Sequence, residues 1–317
     1  MSGGVQQSRT GSLELVHHYV GGDGAAALDA MMDGFAQRHG SITVRETHYD
    51  NMRLQVKSRI LGENPPDLWT GWPGGEMEGY AEVNVVKDIT DLWEGTDMAT
   101  NYRPVAADAA QIDGVYHAVP ITVHRINDLY LHRETVEATG IDPGRASNPT
   151  ELVEQLEAID DAHDGPAILL PMADPFPVLQ LWEVTLLGLT DHRTFEEITG
   201  GNAARHRDAI ERTLEHIARF AGVASDEAIY HGLTDANEQF RDGAAPVYPQ
   251  GDWAAGVFDD TDGFDFEQEW DRIPFPGTEN MFCVVIDAVI PSIDAEGEAI
   301  ETFLRYAGSA DAQERFS

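Results

Sequence analysis

The spacing of apolar positions changes twice within the first fifty residues. Leu13 to Val20 is a β-rich run and Gly21 to Gly24 breaks it as a turn. Ala25 to His39 then places Leu28, Met31, Met32 and Phe35 at helical intervals, and Ile42 to Glu46 resumes as a strand. A strand, a helix and a strand in that order predict a parallel sheet. Met52 to Leu61 predicts a second helix, stopped by Gly62 and Pro65-Pro66, after which Asp67-Leu68-Trp69 leads into the loop Gly71-Trp72-Pro73-Gly74-Gly75. Val115 to Val123, with Pro120 inside it, reads as extended. Pro149 to Asp161 and Phe195 to Gly222 read as helices, Arg272 to Phe275 with Met281 to Pro291 as a strand pair, and Ala295 to Tyr306 as a closing helix. The change to long helical stretches predicts a domain boundary between Pro120 and Asn127.

Length agrees with more than one domain: 317 residues, 42% of them apolar, can bury a large core and favour two. Charge changes the picture more. The chain carries 56 acidic and 20 basic residues, a formal −36, and its only lysines are Lys57 and Lys87. Such a field repels nucleic acid. It also predicts a surface suited to concentrated salt, because near 1 M the Debye length falls to about 3 Å and the self-repulsion is screened. The single cysteine, Cys283, lies in the apolar run Phe282-Cys283-Val284-Val285-Ile286, which excludes an internal disulfide and predicts a buried thiol. No run of about 18 apolar residues is present, and Met1-Ser2-Gly3-Gly4 has neither the basic nor the apolar part of a signal peptide. If Met1 is the true start the protein is cytoplasmic. The small, polar residues 1–11 also read as a linker left behind by a removed leader.

Familiar catalytic signatures are missing. There is no G-x-S-x-G elbow, phosphate loop or H-E-x-x-H, and the sequence calls for no cofactor. Gly22-Asp23-Gly24-Ala25-Ala26-Ala27 with Glu46 partly matches a dinucleotide fingerprint, yet Asp23 would set a carboxylate against the pyrophosphate. His17 and His18 are neighbours in a strand, so they point to opposite faces and cannot share a metal. Asp259-Asp260-Thr261-Asp262-Gly263 lacks the glycine and glutamate positions of a calcium loop and reads as a solvated turn. What recurs is an aromatic ring beside a hydrogen-bonding group: His18-Tyr19 with Asp23, Trp72, His124-Arg125, Gln180 with Trp182, and Asp252-Trp253. A pyranose offers a C–H face for the ring and hydroxyls for the polar partner. A hydrolase using two acids, such as Asp23 and Asp287, is the alternative on these residues.

The chain resembles the extracellular solute-binding proteins of carbohydrate ABC importers, in particular the glucose- and galactose-binding branch of family 1. The resemblance runs from about Leu13 to Phe316. It rests on Leu13-Glu14-Leu15 through Gly21-Gly22-Asp23-Gly24, Leu61-Gly62 with Pro65-Pro66-Asp67, Asp113-Gly114-Val115-Tyr116 with Val119-Pro120, and His124-Arg125. It continues through Leu181-Trp182-Glu183, Gly251-Asp252-Trp253-Ala254-Ala255-Gly256, Pro276-Gly277-Thr278 and Asp287. It implies an α/β fold of two lobes, the type II periplasmic-binding-protein fold, with residues 12–120 plus 279–312 as the first lobe and 121–278 as the second. A cleft between lobes would hold a mono- or small oligosaccharide, and its closure would signal the ABC permease. His18 and Tyr19 match an aromatic dipeptide that touches sugar in the family, Asp23 matches an acid just ahead of the first helix, and Trp253 matches a stacking tryptophan. Asp287 matches a carboxylate that takes sugar hydroxyls, and Thr70 and Trp72 stand where the family has Gln and His. The resemblance further implies a monomer on the extracellular face of the membrane, lipid-anchored if a leader preceded Met1. It also implies that the second lobe is incomplete, since the family continues beyond Ala312-Gln313-Glu314-Arg315-Phe316.

Overall fold

The structure, a computed structural model, describes residues 11–19, 22–49 and 51–316. The chain divides into two units, Met1–Val123 with Val285–Ser317, and His124–Val284.

The first unit begins with strand β1 (Ser12–His17), in which Leu13, Leu15 and Val16 are wholly buried. A strand covered on both faces has no reason to alternate, which is why the run was continuous. Helix α1 (Gly22–Arg38) turns Leu28, Met31 and Phe35 inward and returns the chain to β2 (Thr43–His48), parallel to β1 in the register Ser12 with Thr43 through His17 with His48. The expected turn is in part helix, since α1 already starts at Gly22; Val20 and Gly21 lie outside the described residues. Helix α2 (Met52–Leu61) is capped by Asn51, whose Oδ1 accepts from the Leu54 amide at 3.3 Å. It leads to β3 (Leu68–Gly71), buried at every position and parallel to β1. A short hairpin, Gln111–Ile112 with Val115–Tyr116, precedes β4 (Val119–Arg125). Trp93 braces that hairpin: its ring stacks on Tyr116 at 4.0 Å and its Nε1 donates to the Ala118 carbonyl.

The second unit takes over at His124. Its central strand β5 (Asp128–His132) is buried throughout. Helix α3 (Pro149–Ala162) starts on Asn148, whose side chain accepts from the Glu151 amide at 3.0 Å, and α4 (Pro175–Leu189) starts on Asp174 in the same manner. The single helix expected over Phe195 to Gly222 is broken. Gly201 sits at φ 94° between a short helix, His192–Glu197, and α5 (Arg207–Gly222), a conformation that leaves the helical path and that glycine adopts without strain. Helix α6 (Leu233–Arg241), β6 (Val247–Gln250), α7 (Trp253–Asp259) and β7 (Trp270–Pro274) complete the unit. Its sheet has the order β6-β5-β7, all antiparallel, over a core of Tyr130, Phe240, Tyr248, Phe258, Phe264 and Trp270.

Two glycines fix a close approach inside this unit. A Cβ on Gly188 of α4 would lie 2.6 Å from the Pro276 carbonyl oxygen, and one on Gly277, itself at φ 87°, would lie 2.5 Å from the Gly188 oxygen. Backbone cannot retreat as a side-chain end can. Gly188→Ala therefore destabilises the protein by about 2–3 kcal/mol, the usual cost of forcing atoms into a filled interior. Calorimetry checks this; a midpoint equal to wild type would show that the helix can shift.

The chain re-enters the first unit in β8 (Val284–Pro291), antiparallel to β3 with Ala288 opposite Gly71. The sheet order is β2-β1-β3-β8-β4. The expected pairing of Arg272 to Phe275 with Met281 to Pro291 is thus replaced by membership of two different sheets, because β7 pairs with β5 and β8 with β3. Helix α8 (Glu298–Ala307) buries Ile300, Phe303 and Leu304, and after Gly308 a further helix, α9 (Ala310–Phe316), lies against α1. Lys87 is half-buried and donates to the Ala295 carbonyl at 2.7 Å, a structural use of one of the two lysines. Among the described residues no helix is long and apolar enough to cross a membrane.

Candidate functional site

In the first unit three neighbouring strands deliver polar groups to one place. β1 and β3 run parallel, so His18 and Tyr19, just past the end of β1, come level with Thr70 near the end of β3, and the antiparallel β8 brings Asp287 beside them. The carboxyl ends of parallel strands are where open α/β sheets hold their ligands. The Tyr19 hydroxyl donates to Asp287 Oδ2 at 2.9 Å, His18 Nε2 stands 3.7 Å from that oxygen, and His18 Nδ1 shares a hydrogen bond with Thr70 Oγ1 at 3.1 Å. The rings of His18 and Tyr19 are 4.3 Å apart. Burial, and then the adjacent Asp287 charge, push the Tyr19 phenol well above its ordinary range, so it stays a hydrogen-bond donor. Asp287 is 5% exposed, and a carboxylate kept this dry makes strong bonds to any hydroxyl that reaches it.

The glycine pattern ahead of α1 has a plain physical use here. A Cβ on Gly24 would meet the Tyr19 ring at 2.8 Å, so Gly24 makes room for a side chain where a nucleotide fingerprint would make room for pyrophosphate. Asp23, expected just before the helix, is instead within its first turn; its side chain lies outside the described residues. The Asp23 and Asp287 pair of the hydrolase alternative is therefore without a described geometry. Trp72 is half-buried, and the Arg53 guanidinium lies over its ring at 3.6 Å while Arg53 Nε ion-pairs with Glu76 at 3.4 Å. Nothing in the sequence announced Arg53, which reaches Trp72 from α2. His17 faces away from His18, toward Glu46 at 3.9 Å, and burial followed by the His18 charge lowers its pKa.

The second unit gathers a separate set. His124 Nδ1 is 2.8 Å from Asp252 Oδ1, and the Arg125 amide donates to Asp252 Oδ2 at 3.0 Å. Trp253 meets the His124 ring edge to face at 5.3 Å and lies 5.9 Å from Phe176, an aromatic the sequence reading did not select. Gly251 permits this, since the Trp253 ring folds back over its Cα and a Cβ there would run into the indole. The Arg125 side chain turns to Asn127 Oδ1 and to Asp128, both at 3.1 Å, and Arg272 also faces Asp128. Burial raises Asp128 to about 6 against the pull of those two arginines.

Gln180 and Trp182 do not form the pair that the sequence suggested. Both lie on α4, and residues two apart on a helix face different ways. Gln180 is 2% exposed and its Nε2 donates to the Ile126 carbonyl at 2.9 Å, a role in the interior, whereas Trp182 is half-buried. Next to them, burial pushes the Glu183 carboxyl up to about 7. A carboxyl whose native pKa exceeds its unfolded value of about 4.3 holds its proton better when folded, so stability is greatest in acid and is lost as pH rises from that value through about 7. Glu183→Gln accordingly raises stability at pH 8 by about 1–2 kcal/mol and leaves it unchanged at pH 4.5. Thermal melts of both proteins across that range check this, and an equal gain at both pH values would assign the effect to something other than titration.

Among the described residues no group of three or more His, Cys, Asp or Glu side chains is arranged to hold a metal ion, and Asp259, Asp260, Asp262 and Gly263 are exposed.

Comparison with known proteins gives a consistent result. Residues 21–314 match the family described as bacterial extracellular solute-binding protein. The xylose/arabinose-binding protein XacG of Haloferax volcanii is 28% identical over 98% of this chain and 69% of its own length. A solved structure from work on xylan utilisation by Caldanaerobius polysaccharolyticus superposes with a TM-score of 0.80 at 16% identity, over 93% of this chain and 78% of that one. The solute receptor AcbH, described as having an exclusive preference for β-D-galactopyranose, gives 0.79 at 16% identity over 97% and 78%. At these identities the two structures speak for the fold, an α/β periplasmic-binding-protein-like architecture.

Proposed function

We propose that this chain, which belongs to the bacterial extracellular solute-binding protein family, is the receptor that presents a neutral mono- or small oligosaccharide to an ABC import permease. Family members are solute-binding proteins rather than enzymes, and sugar receptors recur among the relatives. One observation carries the sugar reading: the dry Asp287 carboxylate, already accepting from Tyr19, stands among His18, Thr70 and Tyr19 at the carboxyl ends of adjacent strands. A pyranose would set hydroxyls against Asp287, His18 and Thr70 of the first unit, with Trp72 and Asp23 contributing there; within the second unit Trp253, beside His124, Arg125 and Asp252, is the candidate ring for stacking on a sugar face. Gln180 would support that face from the interior and Trp182 would flank it. The name of the archaeal relative makes pentoses the first candidates, and the resemblance to the glucose and galactose branch makes hexoses the second. The sugar-loaded state is the one a permease reads, through differential affinity for two states of the receptor. We place the monomeric receptor on the extracellular face of the membrane and in concentrated salt.

Tryptophan fluorescence tests this in about 2 M KCl, where surface charge is screened. Trp69, Trp93 and Trp270 are buried, whereas Trp72, Trp182 and Trp253 are half-exposed and placed to report a ligand. D-xylose, L-arabinose, D-glucose or D-galactose should give a saturable change that Trp253→Phe removes, with no release of nitrophenol from nitrophenyl glycosides. A folded protein that responds to none of these sugars or their disaccharides would sink the reading, and glycoside turnover would establish the carboxylate-pair hydrolase instead.

A further inference from the structure

We propose that Phe316, in the last helix α9, is a positioning residue that holds Tyr19 in place for the ligand. The inference rests on the sugar reading of the His18, Tyr19 and Asp287 cluster.

Tyr19 belongs to no helix or strand, so its place is set by what touches it. Its hydroxyl is tied to Asp287 at 2.9 Å, one side of its ring meets His18 at 4.3 Å, and Gly24 leaves the space its ring edge occupies. Two further rings lie near it, His17 at 6.3 Å and, closer, Phe316, edge to face at 5.4 Å with the planes at 68°. This is a favoured aromatic geometry. Phe316 is itself 7% exposed, so its ring has little freedom to move aside.

Helix α9 in turn is anchored at several points. Asp311 accepts from Arg38 of α1 at 2.6 and 3.0 Å and from Arg315 at 3.2 Å. Gln313 Nε2 donates to the carbonyls of Ala307 at 2.9 Å and Pro120 at 3.1 Å. The helix can lie this close to α1 because Gly34 has no side chain: a Cβ there would run into the Tyr306 hydroxyl and Arg315. The docked helix thereby fixes Phe316, Phe316 fixes the Tyr19 ring, and Tyr19 fixes one oxygen of Asp287. A ligand hydroxyl meets a carboxylate already oriented, which lowers the ordering cost of binding.

The test uses the full chain with ring-labelled tyrosine, the Tyr19 signal being assigned through Tyr19→Phe. In the absence of ligand, Phe316→Ala should shift the Tyr19 resonance. Titration with D-xylose, L-arabinose, D-glucose and D-galactose should show about 3- to 10-fold weaker binding, the scale of one lost aromatic pair. Phe316→Leu, which keeps apolar volume and helix docking, should lose nearly as much, and Phe316→Tyr should restore wild-type affinity. On a Tyr19→Ala background Phe316→Ala should cost nothing further. Additive losses in that double variant, or a Tyr19 signal that stays in place in both Phe316→Ala and Phe316→Leu, would overturn the proposal. A wild-type protein that binds none of the four sugars would sink the sugar reading alone, since the ligand-free Tyr19 signal still decides whether Phe316 positions that ring.

Discussion

On the proposed site, replacing Asp287 by Asn should weaken sugar binding by about 10- to 100-fold. The carboxylate is nearly dry and already accepts from Tyr19, so it offers a sugar hydroxyl a charged acceptor that little water competes for. Hydrogen bonds to charged groups contribute about 1.5–3 kcal/mol, and each 1.4 kcal/mol is a factor of ten in affinity. Asn keeps the shape and one acceptor but presents an amide where His18 and Tyr19 now find a carboxylate. Tyr19→Phe, which removes one neutral donor and keeps the ring against Phe316, should cost less than tenfold. Calorimetric titration of both variants separates the cases. An Asp287→Asn protein that binds within twofold of wild type would move the site elsewhere.

Dilution of salt should be the strongest perturbation of the whole molecule. The 20 basic residues can neutralise at most 20 of the 56 acidic ones, leaving the formal −36. Many of the arginines are held in local surface pairs, such as Arg193 with Glu197, Arg207 with Glu211 and Arg305 with Glu301. Exposed acids stand in runs, as at Asp160, Asp161 and Asp164 or Asp259 and Asp260. Between about 1 M and 0.1 M salt the Debye length grows from about 3 to about 10 Å, so charges that ignored each other begin to repel. The compact state suffers most, because unfolding lets the charges separate. We expect the unfolding midpoint to fall by about 10 °C or more from 2 M to 0.1 M KCl, equivalent to a few kcal/mol for a chain of this size. A midpoint that is flat across that range would mean that the surplus charge is tolerated without screening.

The local parts of this fold were legible and the long-range parts were not. The β1-α1-β2 opening, the end of α2 at Gly62 and the start of α3 at Pro149 could all be read because each depends on spacing or a helix signal within a few residues. The break at Gly201 was passed over because a polar surface helix and a polar loop have the same composition. Arg272 to Phe275 and Met281 to Pro291 looked like a hairpin because they are close in sequence. What prevents it is Asn127, wholly buried, whose amide donates to Thr278 Oγ1 and the Met281 carbonyl while its oxygen accepts from the Cys283 amide. No pattern of apolar residues encodes such a clamp. The same holds for the candidate site. Tyr19 and Asp287 could each be selected by type, but the bond between them, the guanidinium on Trp72 and the ring of Phe316 behind Tyr19 are products of the folded chain.

Cys283 gives the folded chain a clock. It is the one thiol in 317 residues, it is 7% exposed, and burial assisted by the Glu183 charge pushes it up to about 12. Alkylating reagents attack thiolates, so the native protein should be silent toward them. Each modification event then records a moment when the Asn127 clamp has let go and the segment around Cys283 has opened to solvent. The rate of that single reaction, followed with and without sugar, would time the opening of one segment of the second unit with no engineered label.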